Sequence, residues 1–241
     1  MRNQRQEGDI YKRIQDAISM IPENFSILEE QIDVELQMEY FNYSKDLKLS
    51  FEKDFVLTHQ ADLFNSEIPI EEKKSLLVLL ASVEEVECFR TIEKYTQNPD
   101  PELREWSVLA FQESRMVLQS SLMDEQQVYI STGLGGKGQK LRYFVVFVGN
   151  NVAVYSDIQQ KLIQTELELV LRSNGGILEE LDFEENLALG VVLIPLKVDI
   201  QHVFSDMIAE CNLYGDFIRQ EVIITNVKRL SVEDIKRFIE E

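Results

Sequence analysis

The stretch ILEELDFEENLALGVVLIPL, residues 177–196, decides the fold. Its first half carries Glu179, Glu180 and Asp182, the pattern of a strand at the edge of a sheet. Its second half is among the most apolar segments of the chain, as a central strand should be. Glu185-Asn186 between them reads as a turn. Upstream, Leu141 to Val148 reads as another apolar strand, followed by a helix from Ser156 with Gln159 as its capping-box partner. That helix is read with Ile158, Leu162, Ile163, Leu167 and Val170 on its apolar positions, and Asn174-Gly175-Gly176 ends it. Downstream, Asp199 opens a helix with Val203, Phe204, Met207, Ile208 and Cys211 inward, which ends before Gly215. A strand over 217–227 and a short helix capped by Ser231 complete the region.

The order is βαββαβ plus one helix, the pattern of a ferredoxin-like α+β sandwich. That fold places its first and third strands in the middle of the sheet, and these are the two most apolar strands here. The second and fourth carry the charges of edge strands, Arg219 and Glu221 among them. Pro195 fits only at a strand end. The expected core centres on Phe144, Val146 and Val148 with Val191, Leu193 and Leu196.

The amino-terminal half reads as mostly helical. Residues 9–21 form an amphipathic pattern ended by Pro22, and Ser26 with Glu29 has the spacing of a capping box opening a second helix. Asp46 to Glu52 alternates apolar and polar residues, a strand signature. Pro69, Glu71 and Glu72 suit the start of a helix whose SLLVLLA run is too apolar for a single stripe, so it is expected to be covered on most sides. Residues 84–97 form the next helix, with Val86, Phe89 and Ile92 inward, and Asn98-Pro99-Asp100-Pro101 separates it from a long helix over 101–122. Trp106 is expected as a core anchor there.

The segment DPELREWSVLAF, Asp100 to Phe111, resembles the turn and second-helix start of a HEAT or armadillo-type repeat. Leu103-Arg104 and Ala110 follow that pattern, and Trp106 is bulkier than its usual small residue. The resemblance covers about one repeat, residues 67–122, and implies a helical hairpin with a binding surface. The domain reading is a helical region over 1–125, a Gly-rich basic connection over 126–140 and a ferredoxin-like domain over 141–241.

The chain has 241 residues, 44% of them hydrophobic, which excludes disordered and low-complexity classes. With 43 acidic and 24 basic residues the net charge is −19, a field that repels phosphate backbones and anionic lipid. Nucleic acid and membrane are therefore not expected partners. No apolar run reaches the ~18 residues of a membrane span, and the amino terminus lacks a signal-peptide stretch. Cys88 and Cys211 lie far apart in no ligand-like spacing, which suits a reducing cytoplasm.

One window departs from the acidic background. No acid lies between Glu125 and Asp157, and within that interval Gly133, Gly135, Gly136, Lys137, Gly138, Lys140 and Arg142 cluster. Glycines let backbone amides face an anion and the cations supply countercharge, so the segment is a candidate phosphate or carboxylate loop. It lacks the following helix of a dinucleotide fingerprint and the Gly-Lys-Ser/Thr of a phosphate loop. The plainer reading is a mobile connection. His59 and His202 are the only histidines, leaving little material for catalytic triads or metal sites, and Cys211 lacks an evident base. The expectation is a cytoplasmic interaction or regulatory protein with a protein partner, without catalytic residues, cofactor or metal. A sensor of an anionic small molecule is the alternative, and a phosphoryl-transfer enzyme the weakest reading.

Overall fold

The computed structural model describes residues 25–49, 51–123 and 128–240, so the helix expected over 9–21 lies outside the described residues. Two compact units result. One is Ile32–Tyr129; the other joins the residues up to Gln31 with Ile130–Glu241. This division differs from the one read in the sequence, since residues 130–140 fall within the α+β unit. The helical unit is an insertion, and residues 25–31 before it belong to the α+β unit.

The helical unit contains α1 (Val34–Leu47), α2 (Lys53–His59), a 3₁₀ turn (Gln60–Phe64), α3 (Ile70–Ala81), α4 (Val86–Thr96) and α5 (Arg104–Met123). Helix α3 is its hub. Pro69 stands at its N-cap, Glu71 and Glu72 occupy its first turn, and every residue over 76–81 is buried. Helices α1, α2, α4 and α5 all pack on it, which is why its apolar residues need no single stripe. Helices α4 and α5 form the hairpin across residues 98–101. Trp106 is buried in it, with its ring edge-on to Tyr40 at 4.9 Å and its Nε1 donating to the Lys74 carbonyl at 3.2 Å.

Three expectations here are corrected. No helix begins at Ser26; Phe25–Ile27 is strand β1, because Ile27 is buried against Leu141 and Leu196 and Leu28 N–H donates to the Ile130 carbonyl. The helix cap is Asp33, whose carboxylate accepts from Glu35 N–H. Asp46 and Leu47 are not strand but the end of α1, held helical because Tyr40 and Ser44 on the same helix are buried. Val86 faces solvent, and Cys88, Ile92 and Tyr95 form the buried face of α4 instead.

Lys73 is buried with only 3% of its side chain exposed, and its ammonium donates to Asp100 Oδ2 at 2.7 Å. Tyr95 Oη donates to the same oxygen at 2.7 Å. Thus the Asp-Pro turn is tied to both α3 and α4. Lys73 first, then Tyr95, holds the Asp100 carboxyl below its ordinary value.

The α+β unit runs β1 (Phe25–Ile27), Ile130 at the end of β2 (Val128–Ile130), β3 (Gly136–Lys137), β4 (Lys140–Gly149), α6 (Asp157–Ser173), β5 (Ile177–Glu184), β6 (Leu187–Pro195), α7 (Ile200–Asn212), β7 (Ile218–Thr225) and α8 (Val232–Glu240). Strand β4 pairs with β6 along one edge and with β7 on the other, where the two-residue β3 continues the edge; β5 flanks β6. The order β7-β4-β6-β5, all antiparallel, is the ferredoxin-like sheet, with β4 and β6 central as their composition demands. The Ser156–Gln159 capping box and the Asp199 cap form as read.

Both faces of the sheet are covered. Val145, Phe147, Val192 and Ile194 pack under α6 and α7, with Ile163, Leu167, Phe204 and Met207. Phe144, Val146, Val148 and Val191 form a smaller cluster on the opposite face with Leu134 and Ile235 of α8. All six expected core residues are buried, but the larger core lies under the two helices rather than around Phe144 and Val146. Ile158 is also corrected: it points away from the core and is 82% exposed. Among the described residues no helix is long and apolar enough to cross a membrane.

Two outcomes test this packing. Val146→Asp places an unpaired charge between Leu189 and Ile223 and should cost several kcal/mol, abolishing soluble folding; a melting temperature near the parent's would contradict the placement of β4. Asp100→Asn leaves Lys73 without its counter-ion and should cost roughly 1–3 kcal/mol at neutral pH. The carboxyl is depressed in the folded state, so its contribution is complete above the unfolded value of about 3.9 and is lost as pH falls through the folded one. The gap between parent and variant in urea titrations should therefore be constant above about pH 5 and shrink in more acidic buffer.

Candidate functional site

The glycine-rich segment folds as part of the α+β unit. Leu134 inserts into the cluster beneath α8, and its N–H donates to the Asn226 carbonyl at 3.0 Å. A Cβ at Gly133 would stand 1.8 Å from the Val227 carbonyl oxygen. Gly135 has φ +66°, and a Cβ there would meet the Glu30 and Glu29 carbonyl oxygens at 2.5 and 2.6 Å. These glycines exist so that other backbone can pass close by. Gly136 lies in β3, buried.

The charged members diverge. Lys137 is exposed at the tip, Lys140 is half-buried at the start of β4, and Arg142 is turned inward to an intramolecular partner. Its Nε and Nη2 donate to the two oxygens of Glu179 at 2.5 and 3.2 Å, while Nη1 donates to the carbonyls of Leu134 at 2.8 Å and Glu29 at 3.4 Å. A bulge between Leu178 and Glu180 makes Glu179 the extra residue of β5. Its neighbour Glu180 holds Arg229 in a second bidentate pair, which lowers the Glu180 carboxyl. At the tip, Gly138 N–H donates to the Glu29 carboxylate at 3.0 Å. The loop amide thus faces a carboxylate of the chain itself, and Lys137, Gly138 and Lys140 are the members left outside the Arg142 clamp.

The thiols are buried in the two cores. Burial first, then nearby glutamates, pushes Cys88 up to about 11 and Cys211 up to about 12, so neither is a nucleophile near neutral pH. His202 stands on the exposed side of α7 beside Asp206 at 3.4 Å.

A groove of about 630 Å³ lies in the helical unit between the 3₁₀ turn and α4. Phe64 and Val86, each 48% exposed, form apolar parts of its lining, and Arg90 and Lys94 add cations one and two turns along α4 from Val86. Gln60 fixes the turn to the helix: its amide donates to Glu87 Oε1 at 2.9 Å and accepts from Thr91 Oγ1 at 2.8 Å. Lys94 Nζ sits 5.0 Å from the Phe64 ring centre. Sequence reasoning misses this place, because residues 53–64 carry no pattern that assigns them to an element. The signal available in the sequence is Arg90 and Lys94 at helical spacing from Val86, two cations on the face that Val86 is expected to bury.

The glycines give a sharp test. Gly135→Ala is strained by its φ and by two carbonyls in the path of the new methyl, and should cost several kcal/mol. Gly138→Ala, at φ +60° but with open space around it, should cost only about 1–2 kcal/mol. Equal melting temperatures for the two variants would contradict the packed loop.

Neither a protein-family model nor a curated protein matches this chain.

Proposed function

We propose that this chain is a cytoplasmic protein-interaction or regulatory module whose helical unit takes a peptide segment of a partner in the groove between the 3₁₀ turn and α4. The observation that carries this reading is the pairing of half-exposed Phe64 and Val86 with Arg90 and Lys94 in a chain of net charge −19. Apolar anchors prefer to be covered, and the two cations favour acidic residues beside those anchors. The fixed Gln60 clamp supports a groove formed before its partner arrives. The buried, unbridged Cys88 and Cys211 support a reducing compartment.

A second reading rests on the Gly138 amide, which already faces the Glu29 carboxylate. A carboxylate- or phosphate-bearing small molecule would replace Glu29 there, with Lys137 and Lys140 as countercharges. In that case Lys137→Gln with Lys140→Gln should remove thermal stabilisation by such compounds.

Panning a displayed peptide library against the protein should enrich bulky apolar residues flanked by Asp or Glu. Val86→Glu with Arg90→Glu, both at exposed sites, should leave the melting temperature unchanged and weaken those peptides at least about tenfold, or about 1.4 kcal/mol. Undiminished binding by that variant would overturn the groove reading.

A further inference from the structure

The outward face of α6 carries apolar residues where a solvated helix has none to spare. Ile158 is 82% exposed and Leu169 is 55% exposed. With exposed Thr165, and with Leu162, whose half-buried side chain also reaches the core, they recur at steps of four, three and four residues, one stripe whose exposed members lie away from the buried Ile163, Leu167 and Leu171. Along a single flank of that stripe stand Asp157, Lys161, Glu168 and Arg172, with signs minus, plus, minus, plus. Among the described residues neither four-apart pair, Asp157–Lys161 or Glu168–Arg172, closes into an ion pair, and Glu168 instead accepts from Gln164 Nε2 at 2.9 Å.

That order has a specific symmetry. Reversing it end to end inverts every sign. A two-fold axis between Gln164 and Thr165 sets Asp157 against Arg172 of a second copy, and Lys161 against Glu168 of that copy. The same operation, moved by one residue, exchanges Ile158 with Leu169 and Leu162 with Thr165. In an antiparallel helix pair each flank meets its own equivalent, so all four charges are complemented at once. A parallel pair would instead set this flank against the partner's opposite one, where Gln159, Glu166 and Ser173 offer no such inverse series. We propose that the outward face of α6 is a self-association surface, through which two copies of this chain pair with their α6 helices antiparallel.

The charge pattern specifies the occupant: a generic partner has no reason to carry the inverse of this series, and a second copy carries it by symmetry. One helix pair covers less than the ~1,600 Å² of a standard stable interface, so the dimer should be reversible, with a dissociation constant on the order of 10–100 µM. This surface is separate from the groove of the helical unit, and either can fail without the other.

Sedimentation equilibrium of the full chain over roughly a hundredfold concentration range should show monomer passing to dimer. Lys161→Glu with Arg172→Glu makes the flank uniformly acidic, and Asp157→Lys with Glu168→Lys makes it uniformly basic. Each double variant alone should dissociate at least about tenfold more readily, and an equimolar mixture should restore the dimer as a heterodimer. Ile158→Ser, which leaves every charge in place, should weaken the dimer as well and serves if a charge variant folds poorly. A chain that stays monomeric throughout overturns the proposal. So does a dimer indifferent to these changes, or a mixture that fails to reassociate.

Discussion

Strand β4 has no solvent side, and the α+β unit depends on that constraint. Phe144, Val146 and Val148 are buried on one face and Val145 and Phe147 on the other, while β6 and β7 take up its two edges. Each such side chain contributes about 1.5–3 kcal/mol when withdrawn from water. A slip of one residue would exchange the two sets, matching the helix-covered face to the cluster under α8. Two unlike covers therefore fix the register more firmly than one would. They also require something to close the second face, and the chain uses α8 together with Leu134. Closing that face shapes the glycine-rich segment, because a backbone that delivers Leu134 has to run within touching distance of the Val227, Glu29 and Glu30 carbonyls.

The helical unit answers a different problem with a different device. Its hub, α3, is apolar on nearly every side and would by itself tolerate several packings. Lys73 breaks that degeneracy, because its buried ammonium is satisfied only where the Asp100 carboxylate and the Tyr95 hydroxyl meet. A buried pair adds little net stability after desolvation, but a displaced one is costly, so it selects one arrangement of α3, α4 and the Asp-Pro turn. Glu113 does the same between α1 and α5, accepting from Tyr40, Ser44 and Lys48. The Asp-Pro pair that resembles a helical-repeat turn thus has a physical role of its own here.

What is legible in the sequence is local. The α+β class, the strand order, the Ser156 and Asp199 caps and the covered α3 all follow from signals within a few residues of one another. What is not legible depends on partners far along the chain. Ser26 and Glu29 have a helix-capping spacing, yet Ile27 is claimed by Leu141 and Leu196. Asp46 to Glu52 alternates, yet burial of Tyr40 and Ser44 extends the helix through Leu47. Gly133, Gly135 and Arg142 look like an anion loop in one dimension, because glycine beside cation is also what close backbone passage and an inward arginine require. Only the approach of Glu29 and Glu179 separates the two. Ile158 sits in an apolar series that spans more of α6 than one face can bury, and periodicity alone does not show which member is left outside.

The charge distribution connects these observations. Among the described residues, Lys48, Lys73, Lys74, Arg142 and Arg229 are each bound to an acid of the same chain. With 43 acids against 24 basic residues an acidic excess remains, and two bodies each at −19 repel at long range. The repulsion fades beyond a Debye length of about 8–10 Å at ordinary salt, whereas charges meeting at contact distance are screened less. Any surface that is to be covered in such a molecule must therefore carry its own local compensation. Arg90 and Lys94 supply it beside Phe64 and Val86 by excess of one sign, which favours an acidic visitor. Lys161 and Arg172 supply it beside Ile158 and Leu169 by alternation with Asp157 and Glu168, which leaves that flank nearly neutral and favours its own inverse. The same acidic background that discourages indiscriminate association thus leaves the Phe64–Val86 groove and the outward face of α6 with different local fields.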